Sequence, residues 1–302
     1  MKKLFAVMGA TGHIGRVLVQ ELLKAGHEVR AIGRDAQKLE ALRAQGAAVV
    51  SAAFDDVTRL TKAFSGCDGV FVMIPPDYAA DDPGVFQDRI GEGIREALLS
   101  SQARKILNLS SVGAQHAEGT GPIKGLHRQE SRLNSLPGAD VLHLRPCFFM
   151  QNFFWSVPAI RERGVIASAL KGDLPLWMVS TDDIGRQAAQ LLAQGAFEGK
   201  SVFEFVGPRP LSQIEATRLL GAALKMADLK YVQLSYADEE KALQGAGMKA
   251  GIVRLFVEMH RGANEGLIVP TQTLRPEQKG TITFESFARE FAEAFQAHAV
   301  TV

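Results

Sequence analysis

The chain has 302 residues, 46% hydrophobic and 22% charged, enough to bury a sizeable core and inconsistent with disorder. Its formal net charge is +1, from 34 basic against 33 acidic residues, so it carries no broad basic field for nucleic acid and no polybasic tail for a membrane surface. From the N-terminus, residues 4–8 form a continuous apolar run of strand length, and residues 14–23 place Ile14, Val17, Leu18 and Leu22 at helical spacing. Strands at 28–32, 48–54, 69–74, 105–110 and 141–144 follow, with helices at 36–44, 57–64, 86–99 and 126–135 between them. Strands apolar throughout, alternating with amphipathic helices, predict a doubly wound parallel sheet covered on both faces.

Beyond Pro146 the pattern loosens. Residues 147–178 are rich in aromatics and carry Pro158 and Pro175, which suits an apolar pocket wall better than a regular strand–helix unit. A helix at 180–192 and a strand at 201–206 are predicted to rejoin the main sheet, and 211–302 hold three or four helices, the last at 284–298. The expected organisation is therefore a dinucleotide-type domain over 1–146, rejoined by 179–206, and a smaller, mostly helical substrate domain over 147–302, interleaved with it. Two cysteines, Cys67 and Cys147, each lie in an apolar run and read as buried structural thiols of a reducing compartment. The run after Met1-Lys2-Lys3 is too short for a signal peptide, so a soluble cytoplasmic protein is expected.

The strongest motif joins the first strand to the first helix: Gly9-Ala10-Thr11-Gly12-His13-Ile14-Gly15. Gly9 permits a tight turn, Gly12 lets backbone approach a diphosphate, and Gly15 lets the helix pack closely on the strand. Amides at the helix start and the positive end of its dipole then hold the anion. In this strand–turn–helix context the motif predicts a Rossmann-type site for a nicotinamide dinucleotide.

The glycine spacing, together with Val29-Arg30-Ala31-Ile32-Gly33-Arg34-Asp35, Ser110-Ser111-Val112-Gly113-Ala114, Leu144-Arg145-Pro146-Cys147-Phe148-Phe149-Met150-Gln151-Asn152 and Ser180-Thr181-Asp182-Asp183-Ile184-Gly185, resembles the NmrA-like family of atypical short-chain dehydrogenases/reductases. The resemblance extends over nearly the whole chain, to the helix start at Thr283. It implies a Rossmann sheet and NAD(P) binding. It does not choose among the family's activities, which include quinone, imine, dye and ether reduction and NADP-sensing regulation.

The second strand should end near the adenosine ribose, where a carboxylate favours NAD and an Arg favours NADP. Here it ends Ile32-Gly33-Arg34, with Lys38 a turn beyond. A charge-assisted contact to a 2′-phosphate is worth roughly ten- to hundredfold in preference, so NADP(H) is expected ahead of NAD(H). Asp35 competes for the same ribose if the strand runs one residue longer. Asp55 reads either as an adenine contact or as the cap of the helix at 57–64. Ile74-Pro75-Pro76 should pass beside the pyrophosphate, and Ser110 and Pro146, at the ends of the fifth and sixth strands, should also face the cofactor.

Most short-chain reductases donate a proton from a Tyr whose pKa is lowered by a Lys four residues later. The three tyrosines, Tyr78, Tyr231 and Tyr236, have Asp82, Ser235 and Glu240 at that distance, so the pair is absent. Ser111, at the end of the fifth strand, and His127, with Glu130 one turn on to orient it, are the candidate catalytic groups; the alternatives are a loop cap and a surface ion pair. Lys124 matches more loosely. Phe148, Phe149, Phe153, Trp155 and Trp177 are the candidate apolar wall for a flat acceptor, with at least half of the aromatics in this region expected to be core. The seven histidines form no ligand-spaced cluster and no nucleophile elbow is visible, so no metal is expected. The leading reading is an NADP(H)-dependent reductase of a flat, conjugated small molecule, acting as a monomer or homodimer. The second is a redox-sensing regulator that binds NADP without turnover and signals to a protein partner.

Overall fold

A computed structural model describes residues 1–297; His298, assigned above to the last helix, lies outside the described residues. The first half alternates as read: β1 (Leu4–Met8), α1 (His13–Lys24), β2 (Glu28–Gly33), α2 (Ala36–Arg43), β3 (Ala48–Ser51), α3 (Val57–Phe64), β4 (Gly69–Met73), α4 (Pro83–Ser101), β5 (Lys105–Leu109), α5 (Ile123–Asn134) and β6 (Asp140–Pro146). β3 stops at Ser51, short of the predicted end, because its partner β2 ends opposite it at Gly33. β6 runs past its predicted end to Pro146 because the strand on its far side pairs with it along the full length.

The segment after Pro146 forms β7 (Phe148–Phe149), a 3-10 stretch (Met150–Ser156), α6 (Val157–Arg163), β8 (Val165–Ser168), β9 (Leu176–Val179), α7 (Thr181–Gln194) and β10 (Lys200–Phe205). Next come β11 (Pro210–Leu211), α8 (Gln213–Leu224), β12 (Lys230–Gln233), α9 (Tyr236–Gly245), α10 (Ala250–Asn264) and α11 (Phe284–Gln296).

Seven strands form one parallel sheet in the order β10-β6-β5-β4-β1-β2-β3. The chain winds outward from β1 to β3, then crosses back to β4 on the other side of β1. The switch point, where ligands of such sheets bind, is therefore the crevice beyond the carboxyl ends of β1 and β4. One face of the sheet packs under Leu18 and Leu22 of α1, Leu39 of α2 and Ile184, Ala188 and Leu192 of α7. The other packs under Leu60 and Phe64 of α3, Ile90 and Ile94 of α4 and Leu133 of α5. A third core joins Met150, Phe153, Ile160, Leu176 and Leu220 to Phe284, Phe287 and Phe291 of α11. The free edge of β10 is covered by the strand-like stretch before α11. There the fully buried Glu204 accepts from the amides of Thr271 (2.8 Å) and Gln272 (2.7 Å), and Val206 bonds Gln278 and Gly280. Cys147 is buried, its thiol pushed up to about 12 by burial; Cys67 is half-buried beside Arg30, against the expectation that both would be buried.

His143 on β6 stands opposite Asn108 on β5 and is 2% exposed. Its Nδ1 lies 3.1 Å from the Asn108 amide and its Nε2 2.9 Å from Asn134 Oδ1, a network satisfied by the neutral ring. Burial, helped by Arg145 and Lys200, lowers its pKa from 6.5 to about 4 despite the nearby Glu130 carboxylate. Between those two values the unfolded chain binds a proton that the folded one refuses. Stability should therefore fall as pH drops from 6.5 toward 4, by as much as about 3 kcal/mol. Denaturant melts of wild type and His143→Gln at pH 7, 5 and 4 check this: the loss across that window should largely vanish in the variant.

Candidate functional site

The turn after β1 is built as its glycines require. Gly9 has φ +66°, and a side chain there would strike Met73 at the end of β4. Gly12 donates its amide to the Gly9 carbonyl at 3.0 Å, and Ala10 donates to Ile32 at 3.0 Å. A Cβ on Gly15 would overlap the Gly9 carbonyl and approach Ala10 Cα at 2.9 Å, so α1 rests directly on the turn. Gly12 differs: it is exposed, in ordinary extended backbone, and a Cβ there would meet only the Gly9 oxygen at 3.4 Å. It is also the N-cap of α1, with no side chain capping the first amides, as at α5, α6 and α10, whereas α2, α3, α4, α7, α8, α9 and α11 all carry a side-chain cap. Uncapped amides at the positive end of a helix, beside an open face at the switch point, fit a diphosphate. Thr11 is half-buried against Gly33, His13 is exposed, and Ile14 is buried.

At the adenosine end, Arg34 is exposed with its guanidinium 5.5 Å from the centre of the Phe54 ring, and Lys38 is exposed in the first turn of α2. Asp35 caps α2, its Oδ1 accepting from the amides of Gln37 (2.9 Å) and Lys38 (3.1 Å), which commits that oxygen to the helix. The cap of α3 is Asp56, which accepts from Arg59 at 3.0 Å; Asp55, one of whose two readings was that cap, pairs instead with Arg89 at 3.3 Å. Ile74 and Pro75 are buried beyond β4, Pro76 is exposed, and Pro146 is buried at the end of β6.

The region under α5 departs from expectation. Glu130 does not orient His127. It is buried and held by Arg145 through two hydrogen bonds (2.8 and 2.5 Å), and it accepts from the Ser110 hydroxyl at 2.5 Å. Burial pushes its carboxyl up, but the bonds from Arg145 and Ser110 and the neighbouring positive charge outweigh this and leave it below its ordinary value. Ser110 is 3% exposed and its hydroxyl is committed to Glu130, so its expected place against the cofactor is limited to its backbone. His127 Nδ1 lies 2.8 Å from the Ala114 carbonyl, and Ser111 donates to the Val112 carbonyl at 3.0 Å. Lys124 is paired with Glu258 of α10 at 2.9 Å. The sequence reading missed Arg145 as Glu130's partner. The available signal was a charged residue directly after the apolar run at 141–144, before Pro146.

The aromatic wall divides. Phe153 is 3% exposed, packed edge-on against Phe148 and Phe284, and is core, not pocket. Phe148 and Phe149 are half-buried against two different cores, and Trp177 is half-buried with Lys279 over its ring at 5.5 Å. Trp155 alone of the five is exposed, edge-on to Tyr78 at 5.1 Å. A small cavity lined by Met150, Leu211, Thr283 and Phe284 includes none of the turn's residues. Among the described residues no His, Cys, Asp and Glu cluster could hold a metal, and no helix is long and apolar enough to cross a membrane.

Residues 9–140 match the family described as NAD(P)H-binding. The chain has a Rossmann-type fold, and the matched stretch runs from the glycine turn to the start of β6. It is 27% identical to an NAD(P)H azoreductase of Xenophilus azovorans over 96% of this chain and 99% of that protein. The structure of an NADPH-dependent quinone oxidoreductase of Escherichia coli, complexed with NADPH, superposes with a TM-score of 0.82 at 23% identity, over 95% of this chain and 99% of that one. NmrA, a negative transcriptional regulator solved in complex with NADP, superposes with a TM-score of 0.75 at 18% identity, over 99% and 98%. At these identities the two structures show a shared fold, with NmrA among the chain's structural neighbours.

Two glycines of the turn should separate binding from folding. Gly12→Val should leave the melting temperature nearly unchanged and abolish the heat of NADPH binding in calorimetric titration. Gly15→Ala should cost about 1–3 kcal/mol of stability because α1 is forced off the turn. Glu130→Ala should cost about 3–5 kcal/mol, since it strands the Arg145 guanidinium in the interior; denaturant melts measure both.

Proposed function

We propose that the protein is an NADP(H)-dependent reductase of flat, conjugated small molecules of quinone-, dye- or imine-like type. The observation that carries this reading is the open, uncapped start of α1 at the switch point, in a chain that lacks a Tyr-x-x-x-Lys pair. The end-to-end likeness to an azoreductase and a quinone oxidoreductase supports the choice of acceptor. When bound, the reduced nicotinamide supplies the hydride, and acceptors whose product needs little protonation suit a site without a strong acid.

Residues 1–146, with 179–206, hold the cofactor in this reading, and 147–302 supply the acceptor side. Gly12 and the first amides of α1 bind the diphosphate, with Thr11, His13 and Ile14 around them. Arg34, helped by Lys38, binds the 2′-phosphate; Ile74, Pro75 and Pro76 flank the dinucleotide. Ser111 orients the carboxamide or a substrate carbonyl. His127, held through Nδ1 and with no hydrogen-bond partner on Nε2 among the described residues, is the donor for acceptors that do need a proton.

The wild-type protein should bind NADP(H) more tightly than NAD(H), and Arg34→Ala should erase most of the difference, about ten- to hundredfold, while hardly changing NAD(H) affinity. Equal affinity of the wild type for the two cofactors would sink this assignment. NADPH oxidation against a panel of quinones, azo dyes and imines tests the activity. Tight NADPH binding without turnover on any acceptor would favour the regulatory reading, which the missing Tyr–Lys pair and the likeness to NmrA keep as the second choice.

A further inference from the structure

The acceptor side of the crevice can be read further, on the reductase reading above. The loop leaving β4 forms one wall of the switch point, and it carries Tyr78 four residues beyond Ile74. Tyr78 is 41% exposed, and its ring lies edge-on to Trp155 at 5.1 Å and tilted against Phe256 of α10 at 6.1 Å. Trp155 is itself 43% exposed, and the two are large aromatic side chains in contact with each other while both remain open to solvent. Single exposed aromatics are ordinary; two in contact, backed by the half-buried Phe256 at the ligand-binding end of a parallel sheet, are less so.

α10 fixes the third member. Near its N-terminus a Cβ on Gly251 would meet the Asp81 carbonyl and Pro83 at 3.3 Å, where the loop of Tyr78 enters α4, and Lys249 pairs with Asp81 at 2.6 Å. Farther along, Glu258 accepts from the Gly119 amide at 3.0 Å and pairs with Lys124. The helix therefore bridges the loop after β4 and the loop after β5, with Phe256 between the two anchors. Tyr78 is also distinct among the tyrosines. Tyr231 donates to the carbonyl of Leu170 at 2.6 Å and Tyr236 meets Asn264 at 3.0 Å, whereas the Tyr78 hydroxyl has no partner among the described residues. Burial of its ring raises the phenol pKa, so the hydroxyl remains a donor at neutral and mildly alkaline pH.

We propose that Tyr78, Trp155 and Phe256 form the clamp that receives the flat acceptor, and that the Tyr78 hydroxyl donates a hydrogen bond to the acceptor heteroatom on which negative charge develops. Edge and face contacts with three rings suit a planar conjugated molecule of one or two fused rings, and a free phenol suits a carbonyl oxygen or an azo or imine nitrogen. The hydroxyl needs no neighbouring Lys for this task, because it donates a hydrogen bond without losing its proton.

The test uses the full chain loaded with NADP+ and a naphthoquinone as probe. There are two tryptophans, so Trp177→Phe leaves Trp155 as the sole fluorescent reporter. Saturable quenching of Trp155 by the quinone is expected, with the apparent Kd raised roughly tenfold or more by adding Tyr78→Ala. In steady-state reduction of the same quinone by NADPH, Tyr78→Phe should lower kcat about ten- to hundredfold with KM nearly unchanged, because stacking is kept and the hydrogen bond lost. Phe256→Ala should raise KM instead, and none of these variants should alter NADPH affinity. Absence of saturable quenching, or a Tyr78→Phe protein with wild-type kcat, overturns the proposal. Quenching that Tyr78→Ala weakens, in a protein that oxidises no NADPH, overturns the reductase reading while the clamp stands as a binding site.

Discussion

The position of α1 is the constraint on which the rest of the molecule depends. The helix is pressed from two sides at distances no side chain allows: Gly15 sits on the Gly9 carbonyl, and Gly185 of α7 lies so close that a Cβ would come within 2.9 Å of the Ile14 carbonyl and 2.7 Å of Val17. These two glycines set the depth of α1 against β1 and the height of its first amides above the sheet. Since the Gly12 side of the turn is left open, the electrostatic end of the helix meets the crevice and not the core. The tight packing also buries Ile14, Leu18 and Leu22. Burial of such side chains is worth about 1.5–3 kcal/mol each, so the pressure that shapes the binding turn is the same one that stabilises this face of the sheet.

Much of this was legible because it is local. Each strand of the first half is an apolar run ended by turn residues, each helix repeats at 3.6, and the glycine turn lies within seven consecutive residues. What escaped the sequence reading depends on partners far apart in the chain. Arg145 looks out of place after the apolar run at 141–144 until Glu130, on the helix before it, is seen to bind it; the spacing of Glu130 to His127 suggested a nearer and wrong partner. Asp35 and Asp55 were ambiguous because a carboxylate near a strand end serves equally as a ribose ligand, a cap or an ion-pair partner. Only the backbone amides in reach decide, and they chose Asp35 and Asp56 as caps. The aromatics from 148 to 155 could not be sorted from composition, since core and pocket both favour Phe and Trp. Contact with α11, more than a hundred residues away, is what makes Phe153 core.

The interior beneath α5 is taken up by a buried ion pair. Ser110, Glu130, Arg145 and Gln115 form a buried polar group in which the carboxylate is fully engaged by Arg145 and Ser110. A buried ion pair of this kind is seldom a net gain in stability over well-packed apolar residues, but breaking it is costly, so it resists piecemeal change. It ties α5 to β6 and to the end of β5. Groups free to meet a ligand at this end of the sheet then lie around the pair, on the loop after β5 and the exposed side of α5, and on the loop after β4.

The two halves of the site differ in how they are assembled, and that difference bears on function. The cofactor side is contiguous, drawn from the turn and the two strands on either side of it, and its geometry is fixed by close contacts at Gly9 and Gly15 that leave no room for a side chain. The aromatic cluster is drawn from the loop after β4, the 3-10 stretch after β7 and α10, three segments joined by side-chain contacts and surface ion pairs such as Lys249–Asp81. Exposed pairs of that type contribute at most about 1 kcal/mol, so the link between α10 and the loop after β4 is weaker than the packing of α1 on the turn. On the reductase reading proposed above, a rigid turn combined with a wall held by weaker contacts permits one mode of dinucleotide binding to be combined with varied acceptors. The residues that choose the acceptor should therefore be found among those three segments and not among the glycines.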